Sequence, residues 1–304
     1  MRKIVLEDIR RHSPPADGPS NWQESFYVGW VDLQSRACGA NHISLAPGGA
    51  RDTHVWTWTM VEGEVIGRSQ SHGMALPDGD YDDLKLGALH VKSSNDPKRL
   101  GLGVRYDNGV GVDLDFVGNC DPVELTLDRG DTVLGDRHYE IMGMVTGKVT
   151  IGDRVIPIQA GGWSDHSWGA RDFSTNLSHR WLWASFGADF AISAFGFVTN
   201  KGIFPFGWVW DAGAVHLVTG TEFHAVVADD GITPEGCDAV IRTAGNRTYR
   251  VKGRCRDAAL MGGVGWHAKN GLTEFECGGR IGEGFIEVNE LKVLTEDMRR
   301  ELNL

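Results

Sequence analysis

The 304-residue sequence lacks the signatures of several large enzyme classes. No GxSxG stretch is present, which removes the nucleophile elbow of the α/β-hydrolases. There is no GxxxxGK[ST] loop to cradle a nucleotide phosphate, and "GLGVRYDNGVG" (101–111) lacks the strand–helix context of a dinucleotide fingerprint. HExxH and HxH spacings are absent among the 11 histidines. The expectation is a pocket that works without cofactor or metal, although His54, His72, His166 and His267 could still meet in space. Cysteine is scarce: five residues, odd in number, widely spaced and without a CxxC pair. Such cysteines read as free thiols in a reducing compartment, which points to the cytoplasm. The N-terminal "MRKIVLEDIRRHSPP" has acids and arginines where a secretory signal would be apolar. The longest apolar run, "FAISAFGFV" (190–198), is far shorter than the about 20 residues of a membrane helix. Positive charge is never concentrated, and the net charge is −11. Nucleic acid and anionic membrane surfaces are therefore excluded as expected partners, since phosphate binding needs a positive footprint.

What is present is an ordinary globular composition, 41% hydrophobic and 23% charged, on a chain long enough for about two domains. Glycine (41 residues) and tryptophan (11) are abundant, whereas tyrosine (5) is not. Short apolar runs alternate with turn signals. "KVTIGDRVIPI" (148–158) carries Gly152-Asp153 between β-branched segments, a hairpin signature. Similar pairs occupy residues 179–198, 206–218 and 238–253. Helical signals are sparse, the best being Thr295 as N-cap of "EDMRRELNL" with acids in the first turn. The expected fold is all-β: two antiparallel barrel or sandwich-like domains, 1–155 and 156–304, with a short C-terminal helix. A barrel of about eight strands is just wide enough for one small ligand, which suggests a pocket lined by inward-facing aromatics.

The densest cluster of functional side chains is "GGWSDHSWGARDF" (161–173). In an extended strand, Asp165 and Ser167 point one way and His166 and Trp168 the other. They share one cavity only if the strand bends, as the flanking glycines permit. Beside an indole wall, Asp165 would be desolvated and kept protonated, a competent general acid with His166 as its orienting or base partner. The alternative is a turn-capping Asp165 and a structural His166. Arg171-Asp172 reads first as a loop-holding ion pair. Three WxW pairs, Trp56/Trp58, Trp181/Trp183 and Trp208/Trp210, each place two indoles on one strand face. They would form core layers or else walls that bind a flat or polyene ligand and stabilise a passing cation.

"DHSWG.RD", with Gly-Gly upstream and "RWLW" downstream, resembles the hydroxyneurosporene synthase (carotenoid 1,2-hydratase) superfamily and its AttH-type lipocalin-like relatives. "NWQESFYVGWVD" (21–32) is similar to the "W.ES.Y" opening of bacterial members. The resemblance implies two lipocalin-like β-barrel domains with a ligand cavity near the central motif. Carotenoid members add water across a terminal double bond without a cofactor, and wider relatives include cyclases and isomerases of terpenoid or polyketide products. It places the acid at Asp165, with His166 and Trp168 beside it. Trp181, Trp183, Trp56, His54, Tyr27 and Arg171 complete the expected substrate contacts. Ser167 stands where carotenoid hydratases have Asn, and those enzymes are longer, so a smaller hydrophobic substrate is expected. The expected function is hydration, cyclisation or isomerisation of a hydrophobic unsaturated molecule, the alternative being a lipocalin-like carrier. A homodimer is left open.

Overall fold

The computed structural model describes residues 2–47, 53–126, 135–172, 176–199, 202–263 and 266–290. The expected C-terminal helix lies outside them. The first strands are β1 (Trp22–Asp32), β2 (Ala37–Leu45), β3 (His54–Val61), β4 (Glu64–Ser71), β5 (Leu84–Leu86) and β6 (Leu89–Ser93). They are followed by β7 (Arg99–Arg105), β8 (Gly111–Gly118), β9 (Val123–Leu125), β10 (Arg137–Ile151) and β11 (Arg154–Ala170). Next come β12 (Asn176–Ser185), β13 (Phe190–Thr199), β14 (Gly202–Asp211) and β15 (Ala214–Val227). The last are β16 (Pro234–Thr243), β17 (Arg247–Gly263), β18 (Trp266–Cys277) and β19 (Arg280–Glu290). A single 3-10 turn, Leu6–Ile9, accompanies them among the described residues. No described helix is long and apolar enough to cross a membrane.

The chain divides into two compact units, Met1–Ser174 and Thr175–Leu304. The division falls beyond the expected boundary at 155/156 because β11 belongs wholly to the first unit. It pairs with β10 from Ile151↔Arg154 through the Gly152-Asp153 turn, and with β1 along the other edge. The expected hairpin at 148–158 is thus the tip of the longest pair in the first unit.

Unit one is an 11-stranded antiparallel sheet in the order β4-β3-β2-β1-β11-β10-β8-β7-β6-β5, with β9 on β10. It curls around a core to which Phe26, Val28 and Trp30 of β1, Ile43 and Leu45 of β2, Leu114 and Phe116 of β8 and Ile156 and Ile158 of β11 contribute. These positions alternate along each strand, so one parity defines the inner face. Among the described residues the edge strands β4 and β5 share no ladder, and side chains tie this side instead. Tyr106, in the β7–β8 turn, reaches Thr57 and Thr59 of β3 by hydrogen bonds of 3.0 and 2.9 Å. Its ring lies over Gly67 of β4, where an added Cβ would sit 2.4 Å from ring carbons.

Unit two is a closed barrel, β12 to β19 in sequence order. Leu182, Ile192, Val209, Ala239, Val251, Phe275 and Ile286 belong to a core cluster fed by all eight strands, which therefore fills the barrel interior. Trp181, Trp183 and Trp208 have the opposite parity. The pocket of inward-facing aromatics expected from the WxW pairs is therefore not the barrel lumen. Aliphatic side chains together with Phe186, Phe190 and Phe275 fill the lumen, and these indoles lie on the outer side, buried all the same.

Candidate functional site

The central motif forms the end of β11, and its ladder with β1 runs from Gly161 to Ala170 without a register shift. No bulge interrupts the alternation, so Asp165 and His166 face opposite sides of the sheet. The expected Asp165–His166 partnership within one cavity does not form, because the flanking glycines serve a different purpose. Gly169 has φ +122°, and an added Cβ there would meet Asp136 at 2.3 Å. That glycine admits a neighbouring segment rather than a strand bend.

On the inner face, His166 joins Glu24 of β1 and His12 of the N-terminal segment. Glu24 Oε1 lies 2.8 Å from His166 Nε2 and 2.9 Å from His12 Nδ1, and it accepts the His12 backbone N–H at 3.0 Å. Glu24 and His166 are both 0% exposed. Burial pushes the Glu24 carboxyl up, but hydrogen bonds from His12 and His166 outweigh it and hold the group below its ordinary value. Burial also lowers His166, with the Glu24 interactions acting in the other direction. His166 Nδ1 is 3.4 Å from the Tyr139 hydroxyl, and Trp168 stacks on His12 at 3.7 Å between centroids. Arg137 caps this end, paired with Asp8 at 3.2 Å and lying over the Trp168 ring.

The outer face gathers most of the other predicted site residues of this unit. Asp165 stands directly opposite Tyr27 on β1 and Glu140 on β10. Facing positions of this kind bring Cβ atoms to within about 5 Å. The Tyr27 ring packs edge-on against Trp163 at 5.2 Å and Trp56 at 5.9 Å. His42 stacks on Trp56 and lies 5.5 Å from His54, which lies 5.3 Å from His72. Ser25 Oγ is 2.7 Å from His42 Nε2. Burial, with His54 and Arg171 adding to it, keeps the His42 imidazole well below its usual range and hence neutral. Glu140 is fully buried, 3.0 Å from His138 and accepting from the Trp163 indole at 3.4 Å. Asp165 is only half-buried. Arg171 donates to Ser167 Oγ at 2.7 Å, and its backbone is anchored by Asn21.

In unit two, Trp181 and Trp183 occupy the outer side of the barrel. Trp181 stacks on Phe195 at 4.8 Å, and Phe195 meets Phe197 and Phe206 at 5.4 and 4.7 Å. Among them is a buried Glu287, 2.5 Å from His179 Nε2 and accepting from Asn270 at 2.7 Å.

Asp165, Tyr27, Trp56, His54 and the Arg171–Ser167 pair therefore belong to one face of the first unit. His166 and Trp168 belong to the other, and Trp181 and Trp183 to the second unit. Sequence reasoning missed His12, Glu24, His42, Glu140, Trp163, His179 and Glu287. For Glu24 a signal existed: in "WQESFYVGW" it shares parity with Trp22, Phe26, Val28 and Trp30, a charge inside an apolar stripe.

Comparison with known proteins agrees with this architecture. A crystal structure assigned as AttH from Nitrosomonas europaea superposes with a TM-score of 0.64 at 16% identity, covering 91% of this chain and 98% of its own. CghA in complex with Sch210972 superposes with a TM-score of 0.62 at 12% identity, covering 89% and 88%. CghA alone gives 0.60 at 12% identity. No curated protein matches the sequence. The fold is the AttH-like, lipocalin-like one that the central motif implied. Residues 6–292 match the profile of DUF7064, a domain of unknown function, and the chain belongs to that family.

Proposed function

We propose that this protein is an acid–base enzyme acting on a hydrophobic unsaturated small molecule, with Asp165 as the catalytic acid. The observation that carries the reading is the outer face of β11. There a half-buried carboxyl stands opposite Tyr27, whose ring packs on Trp163 and Trp56, while the facing Glu140 is wholly buried and held by His138 and Trp163. A protonated Asp165 would transfer its proton to one carbon of a C=C bond, leaving a cation on the other. The π faces of Trp56 and Trp163 favour such a cation. Water capture forms a C–O bond and returns a proton to the carboxylate, which is hydration. Loss of a proton from a neighbouring carbon to the Asp165 carboxylate shifts the double bond, whereas attack by a second C=C closes a ring and moves the cation onto that bond, where loss of a proton to the same carboxylate ends the reaction. His42, kept neutral, and Ser25 supply polar contacts beside the aromatic wall. His166 and Trp168, on the inner face, hold the strand that carries Asp165. The likeness to CghA with bound Sch210972 supports a small-molecule ligand, and the AttH likeness supports the same class of fold.

Native mass spectrometry of the purified protein, offered a panel of linear polyenes, terpenoid alcohols and polyketide enones, tests this reading. At least one member binds at one equivalent, and Trp56→Ala weakens it by more than tenfold. Absence of binding across the panel, or binding indifferent to Trp56, contradicts the assignment. A ligand that binds but is recovered unchanged marks a carrier.

A further inference from the structure

We propose that His12, Glu24 and His166 form a binding site for one divalent transition-metal ion of the zinc class, on the inner face of the first unit. Their ligand atoms, two imidazole nitrogens and a carboxylate oxygen, all lie within 4.8 Å of one another. Two histidines and a glutamate are a ligand set that zinc accepts, with bonds of about 2.0–2.2 Å. The three residues come from three separate places in the chain: the N-terminal segment, β1 and β11.

A second observation is independent of this clustering. Glu24 Oε1 accepts three contacts, from His12 N, His12 Nδ1 and His166 Nε2, whereas Oε2 is buried and has no hydrogen-bond partner among the described residues. A carboxylate that is 0% exposed and half unsatisfied is costly, and a cation is the ligand that would use the second oxygen. The Tyr81 hydroxyl is likewise buried and unpartnered, and its ring packs at 5.2 Å on His166. The supports that orient metal-binding imidazoles are also in place: Tyr139 at His166 Nδ1 and Trp168 stacked on His12.

Tetrahedral coordination at these bond lengths separates donor atoms by about 3.3 Å. The two nitrogen–oxygen distances, 2.9 and 2.8 Å, are shorter than this, so the movement that admits the ion is a withdrawal of the nitrogens from Oε1 by about 0.4 Å. His12 can make it, because its side chain is 20% exposed and precedes the first strand. On binding, each coordinating nitrogen presents a lone pair, and its proton moves to the other ring nitrogen or to solvent. The ion would fasten the N-terminal segment to β1 and β11, behind the strand whose outer face carries Asp165. This inference stands apart from the proposed reaction.

The test is titration of protein dialysed against a chelator, with Zn²⁺ followed by calorimetry and Co²⁺ followed by its visible ligand-field absorption. Binding saturates at one equivalent, and His12→Asn and Glu24→Gln each weaken it at least tenfold. His54→Asn, in the histidine row of the outer face, leaves it unchanged. Circular dichroism checks each variant, and if Glu24→Gln misfolds, the partly exposed His12 position decides. No saturable binding, binding retained in His12→Asn, or binding lost in His54→Asn overturns the proposal.

Discussion

Glu24 carries its charge at an inward position of a core strand, and that choice makes the inner face sensitive to acid. Hydrogen bonds from His12 and His166 hold the carboxyl below its ordinary value despite burial, so its contribution is complete above the ordinary carboxylate range and lost as pH falls through the folded value. Burial lowers His166 from 6.5, so the folded protein resists protonation there while the unfolded chain takes up the proton. Both signs agree: stability declines on acidification, beginning below about pH 6.5 and steepening in the carboxylate range. His166 alone can account for at most about 1.4 kcal/mol per pH unit. Urea unfolding at pH 7.5 and 5.5 checks this, with a lower midpoint expected at 5.5. An equal or higher midpoint at the acid pH would mean that His166 is not buried neutral. His166 was legible as a functional candidate because it lies in a dense motif. Its partner Glu24 lies 142 positions away, and only the β1–β11 ladder brings the two together.

Among elements, the open side of the first unit is tied by Tyr106, with Asn108 of the same turn donating to the Ile66 carbonyl of β4 at 2.8 Å. Tyr106 lies against Gly67 and hydrogen-bonds Thr57 and Thr59, joining the β7–β8 turn to β3 and β4. Burial, partly countered by those threonines, pushes its phenol up to about 12, so it stays protonated and available as a donor. Gly67→Ala forces a methyl into the ring and is expected to cost about 1–3 kcal/mol. In a Tyr106→Ala background the same change should cost much less, because the obstructing ring is gone. A double-mutant cycle by chemical denaturation measures the difference; additive costs would show that Tyr106 does not hold Gly67's side of the sheet. The hairpins themselves were readable: Gly152-Asp153 between β-branched runs forms the β10–β11 turn. Which side of each strand is the inside was not readable. Trp30 and Trp58 are equally buried, yet only Trp30 belongs to the core that the curled sheet encloses.

At the scale of the whole molecule, the two units solve the edge problem differently. The second closes its barrel strand to strand, and the first curls and ties itself with side chains. The all-β class and the pair of units follow from glycine-punctuated hairpins. Their division did not, because β11 extends the first sheet through the motif that seemed to mark a junction. The indole pairs were likewise recognised as shared faces, but an outward-facing Trp181 reads the same in sequence as an inward one. The central claim is that Asp165, on the aromatic outer face, delivers a proton to carbon. It is tested most directly by incubating protein and bound hydrophobe in D₂O and following deuterium in the recovered molecule by mass spectrometry. Wild-type protein is expected to place deuterium on carbon, whereas Asp165→Asn, with an unchanged melting temperature, should do so about 10²–10⁴-fold more slowly. A ligand returned unlabelled by the wild type, or labelled equally fast by Asp165→Asn, would contradict the account.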